Sequence, residues 1–191
     1  MFVDESATKW WEVNGVDEMK QQASAEAESP ETPRAFTFFG CYMHSLDTKG
    51  RLIIPNAYRK PLGERFTISI TPEGDGIALY PEATFDEMLA DLFQLNRLND
   101  SVRRYLAYLA KMSYRGVEAD TQGRILIPAK LRQRMLGDAK ELEISGGLDH
   151  VRIYDALKGS EAEDYFDMHR SVILNEISEM KAGLMARKGD S

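Results

Sequence analysis

Two arginines, Arg51 and Arg124, each stand four residues after an aspartate and directly after a glycine. Their settings are Asp47-Thr48-Lys49-Gly50-Arg51-Leu52-Ile53-Ile54-Pro55 and Asp120-Thr121-Gln122-Gly123-Arg124-Ile125-Leu126-Ile127-Pro128, offset by 73 residues and identical at six of nine positions. Self-similarity at a fixed offset is the mark of an internal repeat. A guanidinium held on an exposed turn suits anion recognition, because its planar fork matches phosphate oxygens or the O6/N7 edge of guanine. Lys49 adds a compact charge to the first turn. On this reading Lys49, Arg51 and Arg124 face an anionic partner, while Asp47, Gly50, Asp120 and Gly123 shape the turns. The spacing also allows a second reading, in which each Arg pairs with its own Asp and serves only the turn.

Other chemistry is poorly provided for. Asp47 and Asp120 could be imagined as paired acids, but an Asp opening a turn normally caps local backbone. His44, His150 and His169 lack metal-ligand spacing, and the single Cys41 cannot complete a zinc site with them. His44 is expected to be structural or to lie at a rim. No G-x-S-x-G elbow and no Walker loop is present. Gly74, Gly76, Gly146 and Gly147 fall in expected hairpin loops, where positive φ accounts for them. The expectation is no enzyme, cofactor, metal or small-molecule substrate. Arg103, Arg104 and Lys111, beside Tyr105 and Tyr108, form a second basic cluster whose default reading is a solvated helix face.

The elements that must position the arginines follow from the same stretches. Asp at the first position and Gly at the fourth suit a type I turn. The apolar run after it is a buried strand, and Pro55 or Pro128 fits the start of a short helix. Along the first repeat the pattern predicts strands at 38–46, 52–54, 66–70 and 77–80, with a short helix after Pro55. Helices are expected at 83–95 and 101–112, with Asp100 or Ser101 as N-cap. The second repeat predicts strands at 114–119, 142–145 and 151–154 and a helix over 128–136. A long helix is expected from Ser160, with Tyr165, Met168, Val172, Ile173, Ile177, Met180 and Leu184 forming an apolar stripe that suits one buried face or a coiled-coil seam. The expected organisation is an extension at 1–34, repeats at 35–113 and 114–159, and a helical tail at 160–191.

The chain of 191 residues has room for one sizeable domain or two small repeats sharing a core. Its composition, 43% hydrophobic and 29% charged, is that of a soluble globular protein. No apolar run suits a membrane span, and the acidic N-terminus lacks the apolar stretch of a secretory signal. With one cysteine, a reducing cytoplasm is the expected compartment. The net charge of −7 sits at the ends: residues 1–34 carry −5, residues 160–191 carry −3, and the repeat region carries +1. A basic patch on the repeats is therefore compatible with the acidic total. Residues 1–34 have a disorder-like composition apart from Trp10 and Trp11.

Phe39-Gly40, then His44 through Pro55, together with the second D-x-x-G-R-x-x-x-P copy, resemble the MraZ family of bacterial transcriptional regulators over about residues 36–159. A single copy would suggest only the wider AbrB-like class. The resemblance implies an α+β fold, a swapped-hairpin barrel built from two tandem repeats with added helices and a C-terminal helix. It implies a closed-ring homo-oligomer on the nucleoid, binding direct repeats of double-stranded DNA through the two turns and repressing its own division and cell-wall gene cluster. Asp47, Arg51, Asp120 and Arg124 match the family motif. Gln122, where the first copy has Lys49, implies a weaker second turn, and the long front extension departs from the family pattern. An AbrB-type antitoxin, combining DNA binding with a protein-clasping tail, is the alternative.

Overall fold

The computed structural model describes residues 37–95 and 99–189, all within the unit Ala35–Ser191. The expectations for residues 1–34, including the Trp10–Trp11 pair, lie outside the described residues. The fold is α+β with antiparallel sheets. Chain order is β1 (Cys41–His44), β2 (Arg51–Ile53), α1 (Asn56–Leu62), β3 (Phe66–Ile70), β4 (Ile77–Pro81), α2 (Glu82–Gln94) and α3 (Asp100–Met112). It continues with β5 (Tyr114–Val117), β6 (Arg124–Leu126), α4 (Ala129–Met135), β7 (Leu142–Gly146), β8 (Val151–Asp155) and α5 (Ala156–Gly189).

The strands form a six-stranded sheet, β1-β7-β8-β4-β3-β5, and a separate ribbon of β2 and β6. Moving β1, β2 and α1 by the 73-residue offset lands on β5, β6 and α4. Pairing is crosswise. β1 of the first repeat adds to β7 of the second, β5 of the second adds to β3 of the first, and β4 meets β8 at the centre. Read from either edge, the large sheet has the same order once equivalent strands are exchanged. Neither repeat completes its own sheet, so both share one core.

That core explains the apolar triplets. Leu52 and Ile54 point inward from one arm of the ribbon, Ile125 and Ile127 from the other, all at most 1% exposed. They pack with Tyr58, Leu62, Phe66, Ile68, Leu131 and Ile144 in one cluster. Alternation along a strand requires the intervening residues to face out, and Arg51, Ile53, Arg124 and Leu126 do so. β3 is buried on both faces, and its polar residues are satisfied there: Thr67 donates to Glu82, and Ser69 shares a 2.7 Å hydrogen bond with Ser113.

Several boundaries differ from the sequence expectations. The first strand spans Cys41–His44, not 38–46. Gly40 has φ +95° and breaks the extended path, so Phe38 makes only an isolated bridge to Leu148. The cap of α3 is Asn99, whose side chain accepts from the Ser101 and Val102 N–H groups, rather than Asp100 or Ser101. Asp100 instead pairs with Arg103 and Arg104 one turn on. The last helix begins at Ala156, four residues before Ser160, because Asp155 Oδ1 accepts the Leu157 N–H and holds the first turn. Its apolar stripe does not pack on the sheet. Tyr165, Met168, Val172, Ile177, Met180 and Leu184 are between 41% and 74% exposed.

Candidate nucleic-acid interface

The two turns share one geometry. In the first, the Gly50 N–H donates to the Asp47 carbonyl and the Asp47 N–H to the Arg51 carbonyl, both at 2.9 Å. Asp47 Oδ1 accepts from the Lys49 and Arg51 N–H groups at 2.9 Å, and Oδ2 accepts from Arg51 Nε at 2.7 Å. In the second, Asp120 Oδ1 accepts from the Gln122 and Arg124 N–H groups at 2.9 Å, and Oδ2 from Arg124 Nε at 2.7 Å. Each aspartate thus closes its turn with three hydrogen bonds. The two carboxyls titrate below the ordinary aspartate range, chiefly because the backbone N–H of Arg51 or Arg124 bonds the ionised form.

The structural and the anion-binding readings of the arginines are compatible. The aspartate takes only Nε, and among the described residues neither Arg51 nor Arg124 uses a terminal Nη in a hydrogen bond. Both side chains are about three-tenths exposed, at 31% and 28%. The aspartate therefore fixes the direction of the guanidinium, and its outer edge is not taken up among the described residues. Lys49 and Gln122 are exposed beside them.

The ribbon brings the two turns together. β2 and β6 are antiparallel, with Arg51 opposite Leu126 and Ile53 opposite Arg124. The like charges are consequently diagonal rather than opposed, at roughly 7–8 Å between such positions. Ile53 (43% exposed) and Leu126 (60% exposed) complete a face of two arginines and two aliphatic side chains. Sequence reasoning singled out the arginines and missed this pair, although the alternation within each triplet carries the signal.

It also missed Arg59 and Arg132. They occupy equivalent places four residues after each motif proline, at the same 73-residue offset, and both lie against the ribbon turns.

The remaining candidates fall elsewhere. Arg103 and Arg104 pair with Asp100 along an exposed helix face. His44 ends β1 opposite Leu142, while His150 is buried, hydrogen-bonded to Asp149 and stacked on Tyr80. Among the described residues no group of three or more His, Cys, Asp or Glu could hold a metal ion, and no helix is long and apolar enough to cross a membrane.

Fold and face together define a tandem-repeat protein with an arginine-bearing β-ribbon. Residues 37–107 match the family model described as "MraZ protein, putative antitoxin-like". A "Transcriptional regulator MraZ" of Acetivibrio thermocellus is 36% identical over 121 residues, covering 63% of this chain and 82% of the relative. Its namesake in Lachnoclostridium phytofermentans is 34% identical over 119 residues, covering 61% and 80%. Another, from Mycolicibacterium vanbaalenii, is 33% identical over 133 residues, covering 69% and 88%. The chain belongs to the MraZ family.

Proposed function

We propose that this chain is a sequence-specific, DNA-binding transcriptional regulator that reads duplex DNA with the outer face of the β2–β6 ribbon. The observation that carries the reading is the pair of like Asp–Arg turns, each holding a guanidinium by Nε, with no terminal Nη hydrogen-bonded among the described residues. A two-stranded ribbon fits the major groove, where Arg pairs with guanine and aliphatic groups meet the thymine methyl. Ile53 and Leu126 suit the second task, and Lys49 suits a phosphate. The names of the relatives support a regulator rather than an enzyme.

The finer reading is a swapped-hairpin, AbrB-like barrel assembled into a closed ring. The crosswise strand pairing supports the first part, and the exposed apolar residues of α5 support the second. One turn binds weakly; a ring whose subunit spacing matches direct repeats on the DNA converts weak contacts into avidity. On this reading the protein acts in the cytoplasm on the nucleoid and represses its own division and cell-wall gene cluster from upstream repeats. An antitoxin-like module, with α5 clasping a protein, is the second reading, favoured by the same exposed helix.

Fluorescence anisotropy with the chain's own upstream DNA and a scrambled duplex tests the proposal. Replacing Arg51 and Arg124 by Ala should abolish preference for the upstream DNA while leaving the circular dichroism spectrum unchanged. A double variant that binds as tightly and selectively as the parent would place the DNA surface elsewhere, with Arg103, Arg104 and Lys111 next to be tested.

A further inference from the structure

The arginine that follows each motif proline crosses over to the turn of the other repeat. Arg132 begins the last turn of α4 in the second repeat, yet its Nη1 lies 1.5 Å from where a Cβ on Gly50 would stand. Arg59, on α1 of the first repeat, has its Cζ 2.0 Å from the corresponding position at Gly123. Both glycines have φ +76°. The backbone is clasped in the same crossed sense, since the Ile54 N–H donates to the Gly123 carbonyl at 2.8 Å and the Ile127 N–H to the Gly50 carbonyl at 3.4 Å. Arg59 is further tied by its Nε to the Ile54 carbonyl at 2.8 Å.

We infer that Arg132 and Arg59 are crossed positioning residues: Arg132 seats the first turn with Lys49 and Arg51, and Arg59 seats the second turn with Arg124. The physical basis is shape. A glycine without Cβ offers a flat peptide surface, and a planar guanidinium covers it, which an ammonium on a flexible stem cannot do. This also explains why glycine is required in each turn beyond its positive φ: a methyl group would stand inside the opposing guanidinium. The inference deepens the DNA-binding reading and rests on it for its functional consequence. Seating itself is a property of the free protein.

The test uses the full chain. Arg→Ala at these positions could disturb folding, so Arg132→Lys and Arg59→Lys, which keep charge and stem, are the primary variants. Without DNA, amide shifts recorded by TROSY should move most at Lys49, Gly50 and Arg51 in Arg132→Lys, and at Gln122, Gly123 and Arg124 in Arg59→Lys. With DNA, Arg132→Lys should lose affinity and couple to Arg51→Ala, the double variant binding about fivefold better than independent effects would allow. It should combine independently with Arg124→Ala, and Arg59→Lys should show the mirror pattern. Lysine variants that retain full affinity, or that couple to the arginine of their own repeat, would overturn the inference. Amide shifts confined to the substituted repeat would do so as well. A parent that fails to prefer its upstream DNA would sink the functional reading alone, leaving the shifts to decide the seating.

Discussion

At the residue scale, the aspartates of the two turns make a pH prediction with a definite sign. Hydrogen bonding to the carboxylate holds Asp47 and Asp120 below their ordinary value of 3.8. A folded-state value below the unfolded one means that the turn's contribution to stability is complete above the ordinary range. It is lost as pH falls through the lowered value. Carboxyl NMR titrations should therefore give both midpoints below 3.8, with the Lys49 and Gln122 amide shifts following the same curves. Midpoints at the ordinary value would mean that the turns open in solution. The arginines make a second prediction. Arg51→Ala should weaken DNA binding more than Arg124→Ala, because Lys49 makes the first turn the more basic. If Arg51 contacts a phosphate, the slope of log K against log salt should fall by about one unit on its removal. If it reads guanine, discrimination should fall by roughly 1–3 kcal/mol with little change in slope. Equal losses for the two variants would remove the asymmetry.

At the element scale, the positions of strands and helices were largely legible, and their partners were not. Turn chemistry and alternation placed 66–70, 77–80, 142–145 and 151–154 as strands, and the structure has strands there. Ends failed where a local competitor decided them: Gly40 cut the first strand short, and Asn99 displaced Asp100 as a cap. The crossing of β1 onto β7 and β5 onto β3 leaves no local trace, because either repeat could have paired with itself on the same pattern. Arg59 and Arg132 were missed for a related reason. Their role depends on which turn faces them, and that is a property of the crossing. Tyr58 shows how an element is fastened within its own repeat. From α1 it donates to the Gly40 carbonyl at 2.6 Å and the Phe39 carbonyl at 3.1 Å, with its ring edge-on to Phe38 and Tyr42. Burial pushes its hydroxyl pKa up to about 12, so it remains a donor throughout the physiological range. Tyr58→Phe should keep the fold and cost about 1 kcal/mol in urea denaturation, because the Phe39 carbonyl loses its donor while the Gly40 carbonyl keeps the Gly146 N–H. A change under about 0.5 kcal/mol would mean that water replaces the hydroxyl at no cost.

At the scale of the whole molecule, α5 is set apart by its exposed apolar side chains. The helix carries Tyr165, Phe166, Met168, Val172, Leu174, Ile177, Met180, Leu184 and Met185, each at least 41% exposed. Scattered exposed apolar side chains are ordinary, but a concentration along one 34-residue helix is what the proposed assembly would cover. The spacing of threes and fours suits one buried face or a coiled-coil seam, and the stripe does not pack on the sheet below. The proposed ring would supply a neighbouring subunit as the stripe's partner. Head-to-tail contacts repeated around an axis close such an assembly. Val172→Asp separates the alternatives. In a single chain Val172 is 55% exposed, so the substitution should move the stability of an isolated subunit by no more than about 0.5 kcal/mol. In a ring whose subunits pack through α5 the new charge would be buried, and light scattering should show a smaller species. DNA affinity should then fall with the lost avidity, although neither arginine turn has been touched. An unchanged oligomer with unchanged affinity would free α5 for a different protein partner, as the antitoxin-like reading requires. A parent chain that scatters light as a monomer would end the ring proposal while leaving the ribbon as a single weak reading head.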